Sequence, residues 1–76
     1  MKELIEYVAR SLVDNPDQVT VEEEMDGDRL VLRLRVAEED MGKVIGKQGR
    51  IAQAMRTLLK IAAVKQGTRA GLEIGD

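Results

Sequence analysis

The 76-residue chain contains no cysteine, histidine, tryptophan or phenylalanine, and a single tyrosine. Without thiols there is no disulfide framework and no redox motif. Without thiols and imidazoles there is no zinc finger and no Cys- or His-based catalysis. Long apolar runs are missing as well. The longest, Ile61 to Val64, falls far short of the roughly 20 residues that span a bilayer. Met1-Lys2-Glu3 leads straight into a helical pattern, with no apolar signal core. The expectation is one small cytoplasmic domain, burying about 60% of the surface its unfolded chain exposes.

What is present is charge, and it is sorted. The formal net charge is only −2, yet residues 1–28 carry two basic side chains (Lys2, Arg10) against nine acidic ones. Residues 41–69 carry seven basic side chains (Lys43, Lys47, Arg50, Arg56, Lys60, Lys65, Arg69) and no acid. A run of cations without counter-charge makes a local positive field despite the acidic average.

At 43% apolar and 34% charged residues, the chain can build a core, and the pattern gives six elements. Residues 1–13 read as an amphipathic helix with Leu4, Ile5, Val8 and Leu12 on one side. Asn15-Pro16-Asp17 ends it, because a proline pushes its predecessor out of the helical region. Residues 18–25 and 29–36 alternate as strands around Asp26-Gly27, a strong hairpin signal. A two-residue loop at Asp26-Gly27 predicts Val21 opposite Leu32, Val19 opposite Leu34 and Glu24 opposite Arg29. Glu38-Glu39-Asp40 offers an acidic helix start, with Asp40 as the expected N-cap of a single turn from Met41 to Ile45. Residues 50–66 form the longest helix, with Ile51, Met55, Leu58 and Ala62 as its apolar stripe and Gly67 as its terminator. Residues 69–75 make a last strand with Leu72 and Ile74 inward. The order is α-β-β-α-α-β, an α+β fold.

The segment Val44-Ile45-Gly46-Lys47-Gln48-Gly49-Arg50-Ile51 joins two of these helices. It is no P-loop: Gly42 to Gly46 is one residue too close, and Gln48 stands where the magnesium-binding hydroxyl belongs. Nor is it a dinucleotide fingerprint, whose spacing is absent. A G-x-x-G between two helices, flanked by Lys43 and Arg50, suits a sugar-phosphate backbone. Two glycines allow a tight turn and remove the Cβ atoms that hold a phosphate away. The following helix turns its unpaired N–H groups and positive dipole end toward the ligand. Lys47 and Gln48 sit at the tip, and Val44, Ile45 and Ile51 anchor the base.

This octapeptide, continued by Ala54-Met55-Arg56, resembles the signature of KH domains, whose G-x-x-G loop clamps about four nucleotides. The element order is similar to the type II KH topology, a three-stranded sheet backed by three helices. Length and N-terminal text (Tyr7-Val8, then Leu12 to Val19) resemble small stand-alone bacterial RNA-binding proteins of that class. The resemblance covers nearly the whole chain. It implies single-stranded RNA as ligand, a cytoplasmic location, no cofactor, and self-association or pairing with a larger Jag-type KH protein. It also implies that Gly46, Lys47, Gln48 and Gly49 form the clamp, with bases in a groove between the adjacent helices and the sheet edge. The groove floor is expected from Val44, Ile45, Ile51 and Leu34 or Val36. The scarcity of aromatics agrees, since RRM and cold-shock surfaces stack bases on rings.

The other candidates are weaker. Tyr7 reads as a packing residue, and Arg33 and Arg35 as cross-strand partners of Glu22 and Glu24. The acids at 22–24, 26 and 28 do not converge as metal ligands, because neighbouring strand residues point to opposite faces. Ser11 has no base near it by type, so no catalytic residue is expected. Leu59, Ile61 and Val64, with Ala63, widen the apolar arc of the long helix beyond one sheet face and suggest a dimer interface. A rival reading makes the chain a dimerisation or docking module in which RNA binding is incidental.

Overall fold

The computed structural model describes residues 1–75. Helix α1 spans Lys2–Leu12 and buries Ile5 and Ala9. Val13 is extended (φ −96°, ψ 161°), and a 3₁₀ turn at Pro16–Gln18 delivers the chain to strand β1, Thr20–Asp26. Strand β2 is Arg29–Arg35. A short 3₁₀ turn at Glu38–Asp40 leads into helix α2, Met41–Ile45, and the glycine loop leads into helix α3, Arg50–Lys65. Strand β3, Arg69–Gly75, follows. The sheet order is β1-β2-β3, with β1 antiparallel and β3 parallel to the central β2. This is the expected α-β-β-α-α-β order and a type II KH fold.

Parallel strands cannot be joined by a tight turn, so α2, the loop and α3 form the crossover from β2 to β3. The apolar face of the sheet (Val21, Leu32, Leu34, Leu72) meets Ile5, Ala9, Val44, Met55 and Leu59 in one buried cluster. Gly67, at φ +70°, closes α3: its N–H donates to Val64 O at 3.1 Å, and Thr68 N–H donates to Ala63 O at 2.9 Å. That pairing is a Schellman cap, and it turns the chain sharply into β3.

Four expectations are corrected. The hairpin loop is Gly27-Asp28, not Asp26-Gly27, so Val21 faces Leu34, Glu24 faces Val31, and Asp26 faces Arg29. Only the first loop residue, Gly27, has a positive φ (+66°), the arrangement that favours glycine at the first turn position. A slide of two residues keeps every side chain on its predicted face, and Val19 is buried just ahead of the strand. Along α3, the buried stripe is Ala52, Met55, Leu59 and Ala63, while Leu58 is exposed. The apolar arc is wide enough for two stripes, and the sheet takes the one beside that expected. Leu59 is therefore core (0% exposed) and unavailable to a partner, whereas Ile61 and Val64 stand 51% and 68% exposed. Tyr7, at 74% exposed, lies outside the core, because it sits across the helix from Ile5 and Ala9.

Candidate nucleic-acid interface

The loop's shape follows from its glycines. Gly46 adopts φ 76°, ψ 174°, a region essentially closed to other residues. It also needs its bareness: a Cβ there would lie 2.6 Å from Cγ1 of Ile51. Gly46 thus seats the loop directly on the first turn of α3, while its N–H donates to Gly42 O at 2.8 Å and closes α2. Gly49 is left-handed (φ 73°, ψ 15°) with open space around its missing side chain. Gln48 is left-handed too (φ 58°, ψ 25°), the only non-glycine so placed among the described residues. Such strain persists only where surroundings enforce it. Arg50 reaches toward it, with Nη2 3.5 Å from Gln48 Oε1.

The Arg50 N–H donates to Lys47 O, but no side chain caps the N-terminus of α3, so its positive dipole end is open to an external acceptor. Lys47, Gln48 and Arg50 are exposed around it. Ile51 is half-buried and Ile45 partly exposed, while Val44, Leu34 and Val36 are buried in the core. Of the expected floor, only Ile45 and Ile51 offer surface, and the buried three support it from beneath. The reason is topological. Strand β2 is central, so the sheet edge beside α3 belongs to β3. A groove runs there, walled by Gln53, Arg56, Thr57 and Lys60 of α3 and by Ala70 to Leu72 of β3.

The charges divide cleanly. Lys2 and Arg10 pair with Glu6, Arg33 with Glu24 (2.8 Å) and Glu73 (3.1 Å), and Arg35 with Glu22 (3.8 Å). The hydrogen bond to Glu73, reinforced by Glu24, raises the Arg33 pKa further. The cross-hairpin pairs were legible in the sequence, and Glu73 from β3 was not. Lys43 is held by Asp14 at 2.8 Å and Asp40 at 3.4 Å, and the bond to Asp14 chiefly raises its pKa. Among the described residues Lys47, Arg50, Arg56, Lys60, Lys65 and Arg69 form no ion pair, nor does Arg29 at the start of β2. Six of the seven cations of residues 41–69 are therefore uncommitted, and Lys43 is not.

Asp40 is a residue whose role the sequence misassigned. It makes no side-chain cap for α2. Fully buried, its carboxylate instead accepts from Asp14 N–H (3.2 Å), Asn15 N–H (3.1 Å), Asn15 Nδ2 (3.0 Å) and Lys43 Nζ (3.4 Å). The Asn15 amide, joined by the backbone donors and Lys43, holds its pKa below the usual carboxylate range against the opposing pull of burial. Asp40 ties the turn after α1 to the base of α2, one short helix away from the loop. Only tertiary structure brings residues 14, 15, 40 and 43 together, and no local pattern announces it.

The arrangement as a whole offers bare backbone, an uncapped helix start and unpaired cations along one groove, the complement of a polyanionic strand. Comparison with known proteins bears on which strand. The model of the KH domain of KhpA/KhpB matches residues 2–74. The RNA-binding protein KhpA of Clostridium acetobutylicum is 58% identical, over 97% of this chain and 99% of its own. The RNA-binding protein KhpA of Halalkalibacterium halodurans is 53% identical over the full length of both. Among solved structures, Aquifex aeolicus Era in its GDP–aluminium fluoride complex superposes with a TM-score of 0.64 at 21% identity. The match covers 96% of this chain but 28% of that one, and it speaks for the fold alone.

Proposed function

The chain belongs to the KhpA/KhpB family of KH domains, and from that membership we propose that it binds single-stranded RNA and acts by binding, not by catalysis. Gly46, Lys47, Gln48 and Gly49 clamp the sugar-phosphate backbone at the start of α3. Lys47 and Arg50 neutralise phosphate, Ile45 and Ile51 meet the first bases, Val44 holds the loop from below, and Lys43 braces its base. The strand continues along the groove between α3 and β3. One observation carries this reading: the strained, glycine-built loop presents an uncapped helix start ringed by cations that no carboxylate of the described residues engages. Backbone contacts dominate, so sequence preference is low and affinity falls steeply with salt.

The decisive experiment is a titration of a labelled decauridylate against the wild type and the Lys47→Asp/Gln48→Asp double variant. Both side chains are exposed, so binding is expected to vanish while the thermal midpoint hardly moves. Undiminished binding by the double variant would remove the clamp.

A single small KH domain grips few nucleotides, so pairing supplies avidity. The exposed Leu58, Ile61 and Val64 of α3 form an apolar stripe suited to a second copy or to a larger KH protein of the KhpB or Jag type. Sedimentation equilibrium reads it: a dimer for the wild type and a monomer for Ile61→Asp is expected, and a monomeric wild type ends the homodimer. With RNA as the target, the site of action is the cytoplasm. No helix among the described residues is long and apolar enough to cross a membrane.

A further inference from the structure

Arg29 stands apart from the basic run in sequence. It begins the central strand, with its Cα partners Asp26 on one side and Arg69 on the other. Its natural cross-strand counter-ion is Asp26, yet the two form no ion pair. The guanidinium lies instead across β3 at Gly71, where a built Cβ would collide with Nη2. Strands lie about 4.8 Å apart, so an arginine side chain is long enough to cross one neighbour and emerge at its far edge. Arg29 does so: it lines the groove together with Arg56 and Lys60 of α3, and it also borders the adjoining hollow beside Arg69.

Gly71 is otherwise unexplained. Its φ is ordinary, since Gly27, Gly46, Gly49 and Gly67 are the glycines with positive φ. A glycine inside a strand weakens it unless something must approach closely. What approaches is Arg29.

We propose that Arg29 is a phosphate-binding residue of the RNA groove, delivered from the central strand across the edge strand, and that Gly71 is its positioning residue because only a bare backbone lets the guanidinium pass. This rests on the RNA-binding reading above and adds a contact beyond the loop, where the planar fork of an arginine suits the two free oxygens of a phosphodiester.

The test titrates labelled decauridylate across a salt series with wild type, Arg29→Ala, Gly71→Ala and the double variant, using Arg33→Gln as a control that removes an ion-paired cation. One lost phosphate contact on a single strand makes the salt slope shallower by about 0.7, which at roughly 50 mM salt is about an eightfold loss of affinity. Arg29→Ala is expected to show both changes, and Arg33→Gln neither. Gly71→Ala keeps every charge, yet is expected to weaken binding in the same direction. In the Arg29→Ala background it is expected to cost nothing more. A wild-type slope for Arg29→Ala overturns the proposal, as does an equal cost of Gly71→Ala in both backgrounds. The Lys47→Asp/Gln48→Asp variant in the same series separates the failures. If it loses RNA while Arg29→Ala does not, only this inference falls. If it binds normally, the clamp itself falls.

Discussion

The two sides of the molecule spend their charges differently. On the open face of the β1–β2 hairpin, Arg29 apart, and along α1, cations are matched to carboxylates: Arg33 to Glu24 and Glu73, Arg35 to Glu22, Lys2 and Arg10 to Glu6. Around the loop and α3, Lys47, Arg50, Arg56 and Lys60 form no ion pair among the described residues. Exposed ion pairs contribute little to stability, and carboxylates outnumber cations on the matched side, so it keeps a negative field. Unmatched like charges repel one another and are tolerated where a ligand of opposite sign relieves them. The net charge of −2 averages these two regimes and describes neither.

The largest effect expected from breaking this contrast comes from the unmatched side. Arg56→Glu with Lys60→Glu replaces two groove cations by anions. RNA affinity is expected to fall by well over tenfold at low salt, with no loss of thermal stability, as anisotropy titration and thermal melting would show. A parallel loss of stability would mean that these cations serve the fold.

Next comes the one buried charge among the described residues, which joins the two sides. Asp40→Ala strands the backbone donors of Asp14 and Asn15 and leaves Lys43 to Asp14 alone. It is expected to lower the thermal midpoint more than the removal of any other carboxylate. Because the pKa of Asp40 is depressed in the folded state, its contribution is complete above the unfolded value of about 3.9 and is lost as pH falls through the lower folded value. Acid melts should therefore show wild-type stability dropping below about pH 4, and Asp40→Asn should flatten that limb. An unchanged acid limb would rule out Asp40 as its source.

The loop glycines sharpen the contrast on a smaller scale. Gly46→Ala meets both a forbidden conformation and Ile51, at a cost of about 1–3 kcal/mol for the backbone alone. Gly49→Ala meets only the left-handed penalty, about 1–2 kcal/mol. Denaturant unfolding should rank them in that order, and Gly49→Asn should recover part of the loss. The smallest effect belongs to the matched side: Arg33→Gln should shift the thermal midpoint by only a few degrees and leave RNA affinity unchanged.

Much of this was legible in the sequence, and the reasons are local. Alternation at Leu30, Leu32, Leu34 and Val36 set the strand faces, Pro16 set the end of α1, and Gly46 to Gly49 marked the loop. What escaped was decided at longer range or between near-equal local choices. Asp26-Gly27 and Gly27-Asp28 are both acceptable turns, and turn chemistry alone does not choose between them. The arc of α3 contains two apolar stripes, and the sheet's position chooses Leu59 over Leu58. The carboxylate of Asp40 and the reach of Arg29 across Gly71 both join parts of the chain far apart in sequence, so no window of neighbouring residues contains them. The register also changes the neighbour of Arg29: Glu24 is set against Val31 and engaged by Arg33, and Asp26, which faces Arg29 instead, forms no ion pair with it.

Strand β1 occupies an outer position in the sheet and carries Glu22, Glu23, Glu24 and Asp26. Were two copies to join there in antiparallel fashion about Glu23, Glu23 would meet itself and Glu22 would meet Glu24, each a like-charge opposition that disfavours pairing. The acidic rim thus keeps the β1 edges of two molecules from joining into one sheet about that centre, and guards this edge with charge.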